Sequence, residues 1–192
     1  MSCPLIIAAR NGHLNIVNRL LDCKELDVNL QDKDGKTAFI WASINGHLDV
    51  VNRLLDSKEI GVNLQDNDGC TALILASILG LTDVVNRLLD CKEIDVNLQD
   101  KCNETALMRA SILGYLDVID RLLDHEEIDV NLQDEDGKTA LSLASQNGHL
   151  NVVNRLKKYL NAQIREGFEL LYSYDSVNIP VDLINIIIEF TN

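Results

Sequence analysis

The sequence predicts an all-α solenoid, five short helical repeats stacked side by side and ended by a C-terminal helical cap or tail. Three observations predict it. The block Asp27-Val28-Asn29-Leu30-Gln31-Asp32 returns at 61–66, 95–100 and 129–134, each time after 34 residues. A second block, Asn11-Gly12-His13-Leu14 with its Val-Asn-Arg-Leu-Leu continuation, returns in the same register from Asn45, Leu79, Leu113 and Asn147. A third, Thr37-Ala38-Phe39, returns at Thr71, Thr105 and Thr139. Self-similarity at a fixed period of this length marks a stack of supersecondary units, none of which buries its apolar face alone.

Each unit reads the same way. Asp32-Lys33-Asp34-Gly35 is a turn, in which Gly35 permits positive φ. Asn103 takes the place of that glycine in the fourth unit, and Asn tolerates the same backbone. Thr37 is placed to cap a first helix, whose Phe39, Ala42 and Ser43 form an apolar, small-residue face. Gly46 ends that helix. A second helix opens near His47, with Leu48, Val51, Leu54 and Leu55 on one face at helical spacing. Residues 27–31 and their copies then return as an extended loop. These units occupy 1–165, divided at about 1–32, 33–66, 67–100, 101–134 and 135–165. Residues 166–192 read as a linker and an apolar helix, with a break expected at Gly167 and a linker over Tyr172–Asn178.

Composition narrows the function. Of 192 residues, 46% are apolar and 4% aromatic, so the core is aliphatic. Thirty acidic against 17 basic residues leave a net charge of −13. Such a surface repels phosphate backbones and anionic bilayers, which argues against nucleic-acid and membrane partners. Solubility is the simpler reading of the charge, and an acidic docking patch is the alternative. The five cysteines form no CxxC pair, and free thiols in a reducing, cytoplasmic compartment are expected. The N-terminus lacks the basic region of a signal peptide. No nucleotide-binding, metalloprotease or nucleophile-elbow motif occurs. The carboxylates repeat in register, whereas catalysis needs one unique constellation. We therefore expect no enzyme activity, no cofactor and no metal.

Gly35-Lys36-Thr37-Ala38-Phe39, Ala42, Asn45-Gly46-His47-Leu48 and Asp27-Val28-Asn29 resemble the ankyrin-repeat pattern. The resemblance implies a β-turn finger followed by two antiparallel helices in each unit. It covers residues 3 to about 160. It also implies that the histidine of the Gly-His pair bonds a neighbouring loop, and that Asn29, Asn63, Asn97 and Asn131 match a family target of asparaginyl hydroxylation. The simpler role for these asparagines is a hydrogen bond to their own backbone. The sequence departs from the family in its 34-residue period and in a first unit without a finger.

The resemblance further implies a concave face that holds a protein partner. Residues predicted to point there are Trp41, Ile44 and Asn45; Leu75, Ile78 and Leu79; and Arg109, Ile112 and Leu113. The flanking repeats carry Arg10, Asn11, Gln146 and Asn147 at the polar positions. An apolar centre with a polar rim is interface anatomy, and Trp41 and Arg109 are the expected anchors. Burial of these side chains between neighbouring inner helices is the competing reading. On the other face Arg19, Arg53, Arg87, Arg121 and Arg155 form a ladder. Asp49, Asp83 and Asp117 lie four residues before three of them and Asp22, Asp56, Asp90 and Asp124 three after, so helix-spaced ion pairs are expected.

Two further readings concern the ends. The bare first helix, Leu5–Ala9, is expected to expose core to a second copy. The tail residues Ile179, Pro180, Leu183, Ile187 and Phe190 resemble the first helix of an F-box. That implies recruitment of a cullin-type ubiquitin ligase adaptor, as in ankyrin proteins of large DNA viruses, which act in the host-cell cytosol. A capping helix over the last repeat is the alternative.

Overall fold

A computed structural model describes residues 3–23 and 26–175, with side chains as far as residue 166. Ten α-helices follow one another among the described residues: α1 (Pro4–Arg10), α2 (Leu14–Leu21), α3 (Ala38–Ile44), α4 (Leu48–Leu55), α5 (Ala72–Ile78), α6 (Thr82–Leu89), α7 (Ala106–Leu113), α8 (Leu116–Leu123), α9 (Ala140–Gln146) and α10 (Leu150–Asp175). The odd-numbered helices make an inner row, each packed on the next, and the even-numbered ones an outer row. The inner row is in closer contact than the outer.

Small side chains bring the inner helices together. Ala38, Ala42, Ala72, Ala76, Ala106, Ala110, Ala140 and Ala144 are all buried between neighbours. Every inner helix after the first starts on a threonine whose hydroxyl accepts from the amide three residues on, as Thr37 does from Ile40 and Thr71 from Ile74. The outer helices bury Val17, Val50, Val51, Leu54, Val84, Val85, Leu88, Val118, Ile119 and Leu122. The valines at 50, 84 and 118 extend the apolar face beyond the positions their spacing alone suggested.

The fingers stack on one another directly. In each, the first aspartate accepts from two backbone amides and closes the turn, as Asp32 Oδ1 does from Asp34 and Lys36. The tip of one finger bonds the next, Asn67 N to Asp34 O and Lys101 N to Asp68 O, both at 3.0 Å. Gly69 shows why a side chain is barred there: at φ +78°, an added Cβ would lie 2.9 Å from Lys101 N. Asn103 adopts φ 57° in the fourth finger, as expected of the residue replacing glycine.

Three expectations need correction. The outer arginines do not pair along their own helices in the main. Arg53 Nε donates to Asn18 Oδ1 at 2.8 Å, Arg87 to Asn52 at 2.6 Å, Arg121 to Asn86 at 2.7 Å, and Arg155 to Asp120. Each reaches back one repeat, because in a stack the equivalent residue of the neighbouring helix is as near as the next turn of its own. Only Arg121–Asp124, at 3.8 Å, is a helix-spaced pair among the described residues. The first helix is not bare: Leu5, Ile6, Ala8 and Ala9 are buried, α1 packs on α3, and Ile7 alone of that stretch is exposed. Nor does Gly167 break the last helix. Within α10 the backbone runs on through it and through Tyr172 to Asp175. One helical glycine costs only about 1 kcal/mol against alanine. The F-box-like residues Ile179, Pro180, Leu183, Ile187 and Phe190 lie outside the described residues.

Candidate partner-binding groove

The inner helices and fingers lie on the side of the stack for which the resemblance implies a concave face, and the predicted residues divide there into two kinds. Trp41, Ile44, Leu75, Ile78 and Ile112 are half-buried, with one side on the core. Leu79 and Leu113 are 47% and 41% exposed. Ile7, which holds the Trp41 position in the first repeat, is 46% exposed and extends the apolar floor toward the N-terminus. Its signal was the same 34-residue register.

Asn45 has a task of its own. Its Nδ2 donates to Trp41 O at 2.8 Å and so caps α3. Asn11 caps α1 on Ile7 O and Asn147 caps α9 on Leu143 O in the same way. Leu79 and Leu113 hold this position in the third and fourth repeats, where that bond is given up for an exposed aliphatic side chain. A hydrogen bond of this kind is worth about 0.5–1.5 kcal/mol.

The two expected anchors have occupied polar ends. Trp41 Nε1 donates to Asp32 Oδ2 at 2.7 Å, and the Arg10 guanidinium lies over the indole, 4.8 Å from its centre. A cleft of about 540 Å³ opens beside them, lined by Ile7, Arg10, Asp32 and Asp34 as well as Trp41. Arg109 sits between two carboxylates, Asp100 Oδ2 and Glu104 Oε2, each at 2.6 Å. Asp66 is met instead by Lys36 of the preceding finger. Reading each aspartate only as a turn residue missed these buried carboxylates. The signal was available: Asp32, Asp66, Asp100 and Asp134 recur while the finger tips vary.

These groups are electrostatically tuned. Burial pushes the Asp32 carboxyl up. The hydrogen bonds from Trp41, Lys36 and Asp34 outweigh it and leave the group below the ordinary carboxylate range. Asp32 therefore adds stability at pH above its unfolded value, and that stability is lost as pH falls through the depressed folded value. Trp41→Phe removes one of those donors. It is expected to cost about 1 kcal/mol at neutral pH and to move acid unfolding to higher pH, as followed by circular dichroism. Cys70 behaves oppositely: burial, with Asp66 and Asp100 in the same sense, pushes its thiol up to about 11. It stays protonated at neutral pH and is a poor nucleophile.

The remaining predicted contacts tie repeat to repeat. His47 Nε2 lies 3.2 Å from Arg10 O and His149 Nε2 2.9 Å from Ile112 O. A family model described as ankyrin repeats (3 copies) matches residues 5–100 and 83–166. The chain belongs to the ankyrin-repeat family. No curated protein matches it. Ankyrin repeats are in general protein-binding modules. In this ankyrin chain the loop asparagines bond the next repeat, not their own backbone. Asn29 Nδ2 donates to Glu59 O and its Oδ1 accepts from Gly61 N, and Asn63 and Asn97 repeat the pattern. Asn131, in the last ankyrin loop, is exposed. Among the described residues no cluster of His, Cys, Asp or Glu is arranged to hold a metal ion, and no helix is long and apolar enough to cross a membrane.

Proposed function

We propose that this ankyrin-repeat protein captures a protein partner on its concave groove, with Leu79 and Leu113 at the centre of the contact. One observation carries the reading. Where three repeats cap the inner helix with asparagine, the two central ones expose leucine. Local stability favours the asparagine, and water favours it too. A partner that covers the leucines reverses both preferences, since each buried aliphatic side chain returns about 1.5–3 kcal/mol. Ile44, Leu75, Ile78 and Ile112 continue the apolar floor, and Arg10, Asn11, Gln146 and Asn147 supply its polar ends.

The test restores the capping residue at both positions. Leu79→Asn with Leu113→Asn is expected to leave thermal stability unchanged or raised. Proteins retained from native lysate by the immobilised wild type are expected to fall at least about tenfold, the equivalent of 1.4 kcal/mol. Equal retention by a folded double variant rejects the groove. A truncation after Glu166, run alongside, sorts proteins held by the tail, such as a ubiquitin ligase adaptor, from those held by the repeats.

A further inference from the structure

The fourth finger reverses a charge. Lys36 and Lys138 follow the turn in fingers two and five, and Lys36 reaches forward to Asp66. Glu104 holds the same place in finger four, and the same forward step leads from it to Asp134. A carboxylate thus holds the place from which Lys36 reaches Asp66 two fingers earlier, and it is met by Arg109 of its own repeat at 2.6 Å. Burial raises the pKa of Glu104, Arg109 lowers it, and Asp100, Asp134 and Glu135 raise it again, for a net upward shift. Arg109 is shared with Asp100 at 2.6 Å, and Lys138 is turned to Asp136 at 3.0 Å. One stretch of groove wall therefore brings Asp100, Glu104, Asp134, Glu135 and Asp136 near two cations, Arg109 and Lys138. Ile112 and Leu113 stand three and four residues from Arg109 on α7, on the adjoining face.

The N-terminal end of the groove differs. There Asp32 is engaged by Trp41, Asp66 by Lys36, and Arg10 adds a positive charge over the indole. The groove is apolar along its floor, and its wall at repeat four carries a carboxylate, Glu104, at the position where repeat two carries Lys36. Long-range attraction by a net charge of −13 steers any cation, but a local deficit beside an apolar floor selects where on the partner that cation sits.

We propose that the groove takes a cationic amphipathic segment of its partner. The aliphatic side of that segment lies on Leu79, Ile112 and Leu113, and a Lys or Arg at its edge meets Glu104, Asp134 and Glu135. This rests on the groove reading above and adds the chemistry and direction of the occupant.

Two dye-labelled peptides with the same leucine face test it, one with lysine and one with glutamate on the polar face. Fluorescence anisotropy with the full chain is expected to show the leucine–lysine peptide binding at least about tenfold more tightly. Glu104→Gln, and separately the exposed Glu135→Gln, are expected to weaken that peptide several-fold. Glu126→Gln with Glu127→Gln, on the return loop after α8, is expected to leave it unchanged. Glu104→Gln keeps an oxygen acceptor beside Arg109, and its fold is checked by circular dichroism before binding is read. Glu135→Gln, at a finger tip, gives a second reading independent of packing. Equal binding of the two peptides overturns the cationic assignment and leaves the groove standing. So does equal weakening by the groove and return-loop variants, which would mean attraction by net charge alone. Binding of both peptides unaffected by Leu79→Asn with Leu113→Asn overturns the groove itself.

Discussion

Leu88→Ala is expected to lower the unfolding free energy by about 2–5 kcal/mol in urea denaturation. Leu88 is fully buried on α6, in the middle repeat. Its loss removes transfer energy and leaves a cavity that the flanking helices cannot close without shifting in register. The effect is expected to change the shape of the transition as well. Each repeat touches only its neighbours, so stability is a sum of repeat and interface contributions. A defect in the third of five repeats weakens both central interfaces, and the two ends should begin to unfold separately. Broadening of the urea transition, with a smaller apparent m-value, is the signature. Leu79→Ala, on the exposed side of the same repeat, should leave the transition where it is.

Asp100→Ala is expected to cost about 3 kcal/mol or more. The side chain is nearly inaccessible to water. Its Oδ1 accepts from the amides of Cys102 and Glu104, and its Oδ2 takes Arg109. Truncation strips an acceptor from two backbone donors and leaves Arg109 to Glu104 alone. Asp134→Ala removes the same turn bonds from Asp136 and Lys138 with no ion pair attached, and is expected to cost about 1 kcal/mol. The difference between the two variants measures what the buried pair adds. Asp100→Asn, which keeps an acceptor for the turn, should fall between them. Equal losses for the two alanine variants would show that the turn, not the pair, is what the aspartate supports.

The repeat architecture was legible because it is written several times over. A threonine cap, a small-residue face and a glycine stop are local signals, and recurrence in one register removes their individual ambiguity. The proposed groove centre rests on the same register: Leu79 and Leu113 stand out against Asn11, Asn45 and Asn147 in an otherwise constant position. What stayed hidden depends on the neighbour across a repeat interface. Spacing along one helix suggested Asp partners for the outer arginines. The real partners, Asn18, Asn52, Asn86 and Asp120, stand one repeat back. The loop asparagines were misread similarly, because their carbonyl partners lie 30 residues on. Trp41 and Arg109 were recognised as concave, but their engagement with Asp32 and Asp100 is a contact between finger and helix that helical periodicity does not encode. At Gly167 the expectation leaned on one residue's intrinsic preference, which the surrounding helix overrides.

The arginine rungs have a consequence for how such a molecule changes length. The outer arginines and the finger-tip amides donate backward to the preceding repeat, and each loop asparagine from Asn29 to Asn97 both donates to and accepts from the repeat ahead. Any copy of the 34-residue unit, spliced in between two others, would find its complement waiting on both sides. Tandem duplication or deletion of whole units therefore leaves no orphaned group in the interior and adds or removes one panel of the concave wall. The number of wall panels is set by arithmetic on whole modules, and Leu79, Glu104, Arg109 and Leu113 are among the positions at which one module is not a copy of another.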